Sequence, residues 1–346
     1  MIYKYIFIIL LCFLIKKNKY NIILLYYLKK KFNIIPLLNE NFSNLIIFGK
    51  LKDKEEENLY LKNRIEFYIQ TRKKYLLQFN VTYNESNLIT FQDKLNYLII
   101  HESPSYKSFL ADKLKLRNYS KILFGKDICV PIIKIYNDIN EINLNELPEK
   151  FVLKFNHGSQ MNIICNNKSK LNVKEAFRKL KKWKNINFGL LYHEFQYMYI
   201  ERKIFAEQFL GDNLIDYKIF CFNGFPKFIR IRKILNDINH TKIHNHYNIN
   251  WELNDLESGL KGYIRDPNVK IEKPKNLDLM LKYAQILSQE FVFVRVDLYE
   301  VNNTVYLGEL TFSPSNSIIN WKNKEQSIKI ANFLDLKKIK RYLYNK

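Results

Sequence analysis

Runs of alternating apolar and polar residues, rich in aromatic and β-branched side chains, recur through the second half of the chain. Two of these runs, at 291–299 and 304–311, are separated by a pair of asparagines, which favour a tight turn. Two more lie within 216–231 and flank Asn223-Gly224, the strongest short hairpin signal in the sequence. The pattern therefore predicts two antiparallel β-hairpins.

Hairpin-like and helical patterns alternate along the rest of the chain. Segments 151–155 and 161–165 are apolar runs around a polar turn, which predicts another strand pair. Apolar residues recur at three- and four-residue spacing in 172–184 and 276–290, which predicts helices with one core-facing side. Residues up to about 84 are charge-rich and helical in pattern. Because hairpins are interleaved with helices, the sequence predicts an α+β fold rather than a doubly wound parallel sheet.

The C-terminal hairpin carries polar residues whose types suit phosphate chemistry. If its turn is centred near residue 303, Asp297 lies opposite Glu309. Arg295 then lies opposite Thr311 on the same face. Cross-strand neighbours are roughly 5 Å apart, so the two carboxylates repel each other unless a cation lies between them. Oxygen ligands at this spacing suit Mg²⁺ shared with a phosphate; the alternative is a solvated edge hairpin.

The turn after the strand at 151–155 has the residue types of a phosphate-binding loop. Gly158 allows backbone N–H groups to approach an anion, and Ser159 adds a hydroxyl. Lys154 supplies a positive charge from the preceding strand. Alone this signal is weak, because many ordinary hairpins contain Gly-Ser.

Taken in order, these segments resemble the TupA-like (teichuronopeptide biosynthesis) family of ATP-grasp proteins over roughly residues 87 to 336. The resemblance implies an ATP-grasp fold, in which two α+β subdomains grip ATP, preceded by a helical N-terminal region. The motifs that carry it are Phe151-Val-Leu-Lys154, Asn156-His-Gly-Ser159, Ala206-Glu207, Asp216-Tyr-Lys-Ile-Phe-Cys-Phe-Asn-Gly224, Phe293-Val-Arg-Val-Asp-Leu-Tyr299 and Gly308-Glu-Leu-Thr-Phe-Ser-Pro314. Each motif is weak by itself, and their order makes the set specific.

The resemblance implies which residues hold ATP. Lys154 would contact its phosphates, and Gly158 with Ser159 would form the loop that covers them. The linker between the two halves of the grasp would approach adenine and place Glu207 and Phe209 beside the nucleotide.

The same resemblance implies the catalytic and metal-binding residues. Lys218 would be a second cation facing the phosphates, and Arg295 would steady the charge that develops during acyl transfer. Asp297 and Glu309 would ligate Mg²⁺. Thr311 stands in the metal set where many ATP-grasp ligases have asparagine.

The chain departs from the family pattern at two turns where glycine is usual. Gln160 extends the phosphate loop, and Ser315-Asn316-Ser317 follows the final proline. The first departure is expected to stiffen the loop. The second touches the region where an acceptor would lie, so either acceptor choice has changed or activity has decayed.

Histidines offer two further candidates. His157 lies in the phosphate loop and is assigned to the nucleotide, although a turn histidine can also be merely tolerated. His240, His244 and His246 form a polar stretch that could be a metal-binding tract. A solvated loop over the active site is the favoured interpretation of that stretch.

Such a site implies an ATP- and Mg²⁺-dependent carboxylate–amine ligase that works through an acyl phosphate. Its partners would be a carboxylate-bearing acceptor and an amine donor, precursors of a cell-surface polysaccharide or peptidopolymer. Two alternatives remain. One is a glycan-modifying transferase or sugar kinase on the same scaffold, and the other is a non-catalytic, membrane-associated ATP-binding protein.

The amino-acid composition does little to distinguish these functions, although the net charge of the chain is high. The formal net charge of +22 ordinarily points to nucleic acid or an anionic membrane. Lysine, asparagine and isoleucine are abundant while glycine and alanine are scarce, as expected of an A/T-rich genome. With no nucleic-acid recognition motif, no specific nucleic-acid partner is expected. The four cysteines lack paired spacing, which favours buried thiols in a reducing compartment.

The N-terminus is apolar with basic flanks. Residues 2–15 fall short of the roughly 20 apolar residues that a spanning helix needs, and they lack a small-residue cleavage site. We expect a cytoplasmic protein whose residues 1–28 either lie on the cytoplasmic face of the membrane or pack on the catalytic domain. The predicted division is an N-terminal region, 1–84, and an ATP-grasp catalytic domain, 85–346.

Overall fold

Helices begin the described part of the chain, and two sheets follow. The computed structural model describes residues 54–338 apart from 103, 213, 236–240 and 319–320. The predicted membrane-associated segment, 1–28, lies outside these residues. The helices are α1 (Lys54–Leu77), α2 (Phe91–His101), α3 (Pro104–Ala111), α4 (Lys115–Phe124), α5 (Val173–Asn185), α6 (Phe188–Leu191), α7 (Leu277–Ser288) and α8 (Lys324–Ala331).

The strands form one four-stranded and one six-stranded sheet, in the orders β1-β4-β2-β3 and β10-β9-β5-β6-β7-β8. Neighbouring strands are antiparallel except β7 and β8. The strands are β1 (Ile132–Tyr136), β2 (Phe151–Phe155), β3 (Asn162–Cys165), β4 (Ile204–Gln208), β5 (Asp216–Phe222), β6 (Phe225–Ile234), β7 (Lys242–Asn248), β8 (Tyr263–Ile264), β9 (Phe293–Val301) and β10 (Thr304–Thr311). Two sheets interleaved with helices confirm the predicted α+β class.

Both predicted hairpins close through left-handed residue pairs. Asn302 and Asn303 have φ of 49° and 60°, and Asn223 and Gly224 have φ of 50° and 86°. Two consecutive positive φ angles give a turn whose twist matches that of the flanking strands. The strand pair around 156–160 and the helices α5 and α7 also form where the apolar spacing predicts them.

The six-stranded sheet buries one face against α7. Val294, Val296 and Leu298 are fully buried and alternate along β9 with polar residues that point the other way. They share a cluster with Met280 and Leu287 of α7. Burial of each such side chain stabilises the folded state by about 1.5–3 kcal/mol. The apolar face therefore packs against α7, and the opposite face of the sheet is left for the polar residues.

Helix α1 packs onto the rest of the molecule through its C-terminal half. Tyr68 stacks on Phe195 with ring centroids 4.0 Å apart, and Leu76 lies in the same cluster with Ile99 and Ile100 of α2. The predicted helical N-terminal region is present from residue 54 onward. The boundary at residue 84 stays a prediction.

The prediction of buried cysteines is confirmed for the three that lie in the described residues, while Cys12 lies outside them. Cys129, Cys165 and Cys221 are buried and carry free thiols. Within the part of the chain that the structure describes, no helix combines the length and the apolar character needed to cross a membrane.

Candidate active site

Polar side chains form a row across the six-stranded sheet, on the face away from α7. Asp297 on β9 is in register with Glu309 on β10 and with Lys218 on β5. Arg295 is in register with Thr311, one step along the same face. The strand register predicted from the hairpin sequence is therefore confirmed.

This register depends on a β-bulge at Gly308. The pairing shifts by one residue between Leu307 and Glu309, which brings Glu309 opposite Asp297. A Cβ atom at 308 would lie 2.7 Å from Cε2 of Tyr299 and 3.3 Å from the carbonyl oxygen of Asp297. Position 308 therefore requires glycine, because a Cβ atom there would be too close to the Tyr299 ring.

Asp297 is held by two cations. Arg295 donates from Nε to Oδ1 and from Nη2 to Oδ2, both at 2.6 Å, and Lys218 Nζ donates to Oδ2 at 2.8 Å. The Asp297 side chain is only 2% exposed. Burial opposes its ionisation, but the Arg295 and Lys218 charges outweigh burial and lower the pKa of Asp297. The carboxylate is therefore ionised at neutral pH.

Glu309 is the more accessible of the two paired carboxylates. Its side chain is 26% exposed, and its Oε1 lies 3.4 Å from Arg295 Nη2 and accepts from Thr311 Oγ1 at 3.1 Å. Arg295 Nη2 also donates to Thr311 Oγ1 at 2.9 Å. Burial acts against the charge, yet Lys113 and Arg295 hold the pKa of Glu309 below its usual value.

Asp216 is a third carboxylate in this group, which the sequence did not single out. It forms an ion pair with Lys218, two residues along β5 and on the same face. Burial raises its pKa, and its Oδ1 has no hydrogen-bond partner among the described residues. The Asp-Tyr-Lys spacing was the signal that could have identified it.

The predicted phosphate loop lies on the four-stranded sheet. Lys154 on β2 forms an ion pair with Glu207 on β4, so two residues assigned to the nucleotide contact each other. Phe209 follows β4 and is partly exposed, and Ser159 is partly exposed in the loop. A Cβ at Gly158 would lie 2.8 Å from Cδ2 of Phe188 and 2.9 Å from Sδ of Met161, so glycine is needed here for packing.

Lys113 connects the loop to the carboxylates. Its Nζ donates to the Gly158 carbonyl at 2.7 Å and lies 3.6 Å from Glu309 Oε2. The structure thereby brings together residues that are far apart in sequence. With 56 lysines and arginines in the chain, no sequence signal distinguished Lys113.

His157 points into the protein rather than out of the loop. It is 1% exposed, and its ring meets Phe155 edge to face at 5.1 Å. Burial, together with the charge of Arg202, lowers the pKa of His157 to about 4. A neutral ring adds no positive charge for a phosphate, and the assignment of His157 to the nucleotide stays a prediction.

A family comparison identifies the family to which this fold belongs. The model of the TupA-like ATP-grasp family matches residues 93–333, more than half of the chain and both sheets. The chain belongs to the TupA-like ATP-grasp family. No curated protein matches the sequence significantly. The family resemblance inferred from the motifs is confirmed, and with it the ATP-grasp fold.

Solved ATP-grasp structures are similar to this family member at low identity. The D-alanine–D-alanine ligase from Bacillus anthracis complexed with ATP is 15% identical, over 67% of this chain and 66% of that one, with a TM-score of 0.38. The N5-carboxyaminoimidazole synthetase from Staphylococcus aureus complexed with ADP is 16% identical, over 60% of this chain and 46% of that one, with a TM-score of 0.36. The chain thus spans about two thirds of the ligase and less than half of the synthetase. These likenesses are too distant to carry an argument about activity.

The donor set of this TupA-like protein fits Mg²⁺ bound together with a nucleotide. Asp297 and Glu309 are ionised, adjacent and oxygen-only, and Mg²⁺ commonly takes one or two carboxylates with the remaining positions filled by phosphate and water. Among the described residues no cluster of three or more histidine, cysteine or acidic side chains forms a metal site by itself. Glu309 is the readier ligand, because Arg295 occupies both oxygens of Asp297.

The interpretation of the histidine stretch as a solvated loop is wrong for its described part. His244 and His246 lie in β7 and are 3% and 0% exposed. Burial and the nearby Arg230 lower the pKa of His244 to about 2 and that of His246 to about 3. Alternation of polar residues with Ile243 and Tyr247 was the missed strand signal, and His240 lies outside the described residues.

Both departures from glycine occur at left-handed positions. Gln160 has φ of 59°, and Ser315, Asn316 and Ser317 have φ of 53°, 56° and 53°. Such angles are unfavourable for residues with a Cβ, so contacts elsewhere must hold the turn. Asn316 supplies one by donating from Nδ2 to Tyr75 Oη at 3.0 Å.

Proposed function

We propose that this chain is an ATP- and Mg²⁺-dependent carboxylate–amine ligase. The observation that carries the proposal is the grouping of Arg295, Asp297, Glu309 and Lys218 on one sheet face, next to Lys113 and the glycine loop. Membership of an ATP-grasp family supports ATP as the phosphoryl source. The catalytic region would be 85–346.

The residues have distinct roles in this proposal. ATP, when bound, supplies the phosphoryl group that converts a substrate carboxylate into an acyl phosphate, which an amine then attacks. Lys154, Lys113 and Lys218 neutralise phosphate charge, and Arg295 stabilises the charge that builds on the reacting carboxylate. Glu309 and Asp297 would hold Mg²⁺, which would neutralise phosphate charge, and Glu309 is the freer of the two because Arg295 and Lys218 already bind the oxygens of Asp297. Thr311 positions Glu309 through its hydroxyl.

The proposal also covers the substrates of the reaction and the location of the protein in the cell. We propose a carboxylate-bearing precursor of a cell-surface polysaccharide or peptidopolymer as acceptor, with an amine donor, on the strength of the family resemblance. Free buried cysteines support a reducing, cytoplasmic setting. Contact with the inner membrane face through the N-terminal segment is part of the same proposal.

One observation favours the binding-only alternative. The candidate catalytic cations already pair with carboxylates of the site: Lys154 with Glu207, and Arg295 with Asp297. If these pairs never open, neither Lys154 nor Arg295 is free to bind the negative charge of a substrate. The binding experiment below therefore comes before any acceptor search.

The experiment measures ATP affinity by calorimetry with and without Mg²⁺, for the wild type and Glu309→Gln. Glu309 is preferred to Asp297 because Asp297→Asn would leave Arg295 buried without its carboxylate, which costs roughly 3–5 kcal/mol of stability. We expect Mg²⁺ to tighten ATP binding at least tenfold in the wild type and to have little effect in Glu309→Gln.

Glu175→Gln, which neutralises an exposed carboxylate on α5, serves as the matched control and should behave as the wild type. A folded wild type with no Mg²⁺-dependent ATP binding would overturn the proposal. With binding established, release of ADP that requires both a carboxylate and an amine separates the ligase from the kinase or transferase alternative.

A further inference from the structure

A small pocket lies beside the candidate site, between β5, β6, α2 and the turn after β10. Its lining includes Gln92, Phe220, Arg230, Ser258, Ser317 and Trp321. The partly open pocket has a volume of about 20 Å³, which corresponds to one or two water-sized groups. Such a pocket accepts the end of a side chain or a terminal carboxylate, and it excludes a sugar ring.

Arg230 is a buried cation that forms no ion pair with any of the described residues. It is 7% exposed, its Nε has no hydrogen bond, and no carboxylate lies within ion-pair distance of it among the residues that the structure describes. Its guanidinium carbon lies 5.4 Å from the centroid of the Phe220 ring. Burial and the repulsion of Arg295 lower the pKa of Arg230 only to about 10, so it stays charged at neutral pH. Asp297 and Asp216 attract Arg230 only from beyond ion-pair distance, and a buried charge without a carboxylate in contact is unfavourable, which points to an anion that is supplied from outside.

Ser317 provides a second donor from a different element. Its side-chain oxygen is buried and has no hydrogen-bond partner within the described part of the chain. The residue itself is 1% exposed and sits in the left-handed turn after β10. A guanidinium and a hydroxyl that line one pocket suit a group that only accepts hydrogen bonds, as a carboxylate does.

The pocket lies close enough to the candidate metal-binding carboxylates to hold one end of a substrate whose other end reacts there. Arg230 is in register with Lys218, which is in register with Asp297, so Arg230 lies two strands from the metal-binding carboxylate. At roughly 4.8 Å per strand, the two positions are about 10 Å apart. A small substrate with its reacting group at Arg295 would reach the pocket with another group at its far end.

We propose that Arg230 and Ser317 form a subsite that binds a non-reacting carboxylate of a ligase substrate. The role of this subsite depends on the proposed ligase function. Two kinds of substrate carry suitable groups: an acceptor with a second carboxylate besides the one that reacts, and an amino acid on the amine side, whose carboxylate does not react. The subsite would select for a substrate that carries a carboxylate in addition to its reacting group.

The test measures the thermal midpoint of the full chain in sodium acetate against sodium chloride at equal ionic strength. We expect acetate to raise the midpoint of the wild type by a few degrees, Arg230→Gln to lose the response, and Ser317→Ala to reduce it. Arg232→Gln is the matched control, because Arg232 lies two residues along β6, is exposed and stacks on Tyr263 instead. Calorimetry with D-glucarate, a sugar acid with two carboxylates, and with glycine then distinguishes the two substrate sources.

Two further readouts keep the test decisive. Arg230→Gln should be at least as stable as the wild type in chloride, since it removes an unpaired buried charge, whereas a purely structural arginine would lower stability when replaced. It should also bind ATP with Mg²⁺ within about twofold of the wild type, which separates failure of the subsite from failure of the ligase proposal. Equal acetate responses in the wild type and Arg230→Gln would overturn the subsite.

Discussion

At the scale of single residues, nearly every charged side chain of the candidate site lies close to one of opposite charge. Asp216, Asp297 and Glu309 face Lys218 and Arg295, and Lys113 stands at the edge of the group. Such pairing lowers the pKa of Asp297 and Glu309 and keeps both ionised, whereas burial raises the pKa of Asp216. Arg230 differs from these residues because it has no ion-pair partner in the described part of the chain, and for that reason we propose a ligand for it.

Glu194 gives a residue-scale prediction about pH. Burial raises its pKa from 4.5 to about 7, against the opposing effects of the hydrogen bond from Ser313 and the charge of Arg72. Because the folded state binds this proton more tightly than the unfolded state, its contribution to stability is complete below about pH 4.5 and is lost as the pH rises through 7. The loss should amount to about 3 kcal/mol.

Urea unfolding between pH 5 and pH 8 checks this expectation. Glu194→Gln keeps acceptors for Ser313 and Gln196 and should flatten the pH dependence. The exposed Glu146→Gln should keep the wild-type slope. Identical slopes in all three proteins would show that Glu194 does not retain its proton in the folded state.

At the scale of elements, the C-terminal hairpin sets the spacing of the candidate metal ligands. Asn302 and Asn303 close the turn, and the bulge at Gly308 then determines which side chain faces Asp297. The turn residues are readable in the sequence, because few residues tolerate two consecutive positive φ angles. The bulge is not readable, because it depends on the space that Tyr299 leaves.

Gly308→Ala should disturb this hairpin by crowding Tyr299 and the Asp297 carbonyl. We expect a loss of about 1–3 kcal/mol in stability and a weaker Mg²⁺-dependent affinity for ATP, because Glu309 is displaced. In a Tyr299→Leu background the same substitution should cost less, since the nearest obstructing atoms are gone. Chemical unfolding of the four proteins gives the coupling energy, and a coupling near zero would contradict the steric explanation.

At the scale of the whole molecule, helix α1 is tied to the turn that lines the substrate side. Arg72 is fully buried, donates to Asn96 Oδ1 at 2.7 Å and to the His193 carbonyl at 3.3 Å, and also donates to the Asn316 carbonyl. Tyr75 contacts the Asn316 side chain. One helix therefore supports α2, the segment near 193 and the left-handed turn at once.

Arg72→Met should remove this connection and leave buried carbonyl acceptors unsatisfied. We expect a loss of about 3 kcal/mol, accompanied by faster proteolysis of the turn at 315–317. Lys73→Met, at the exposed neighbouring position, should leave both unchanged. Limited proteolysis with mass spectrometry locates the cleavage, and an unchanged turn in a destabilised Arg72→Met protein would contradict the support role.

The sequence by itself determined the α+β class, both hairpins and the pairing of the two strands that carry the candidate metal ligands, whereas their exact register depends on the bulge at Gly308. These features follow from local rules: period-two alternation, three- and four-residue apolar spacing, and turn residues that tolerate positive φ. Family membership was also readable, because the order of several weak motifs is specific.

Tertiary structure alone decided the rest. It placed Lys113 between the glycine loop and Glu309 and buried His244 and His246 in a strand. It also placed Arg230 in the same pocket as Ser317, without an ion pair to any described residue. None of these follows from local pattern, because each depends on which distant segments meet and on how much water their packing excludes. Burial and long-range pairing set the charge state of a side chain, and both are properties of the folded molecule.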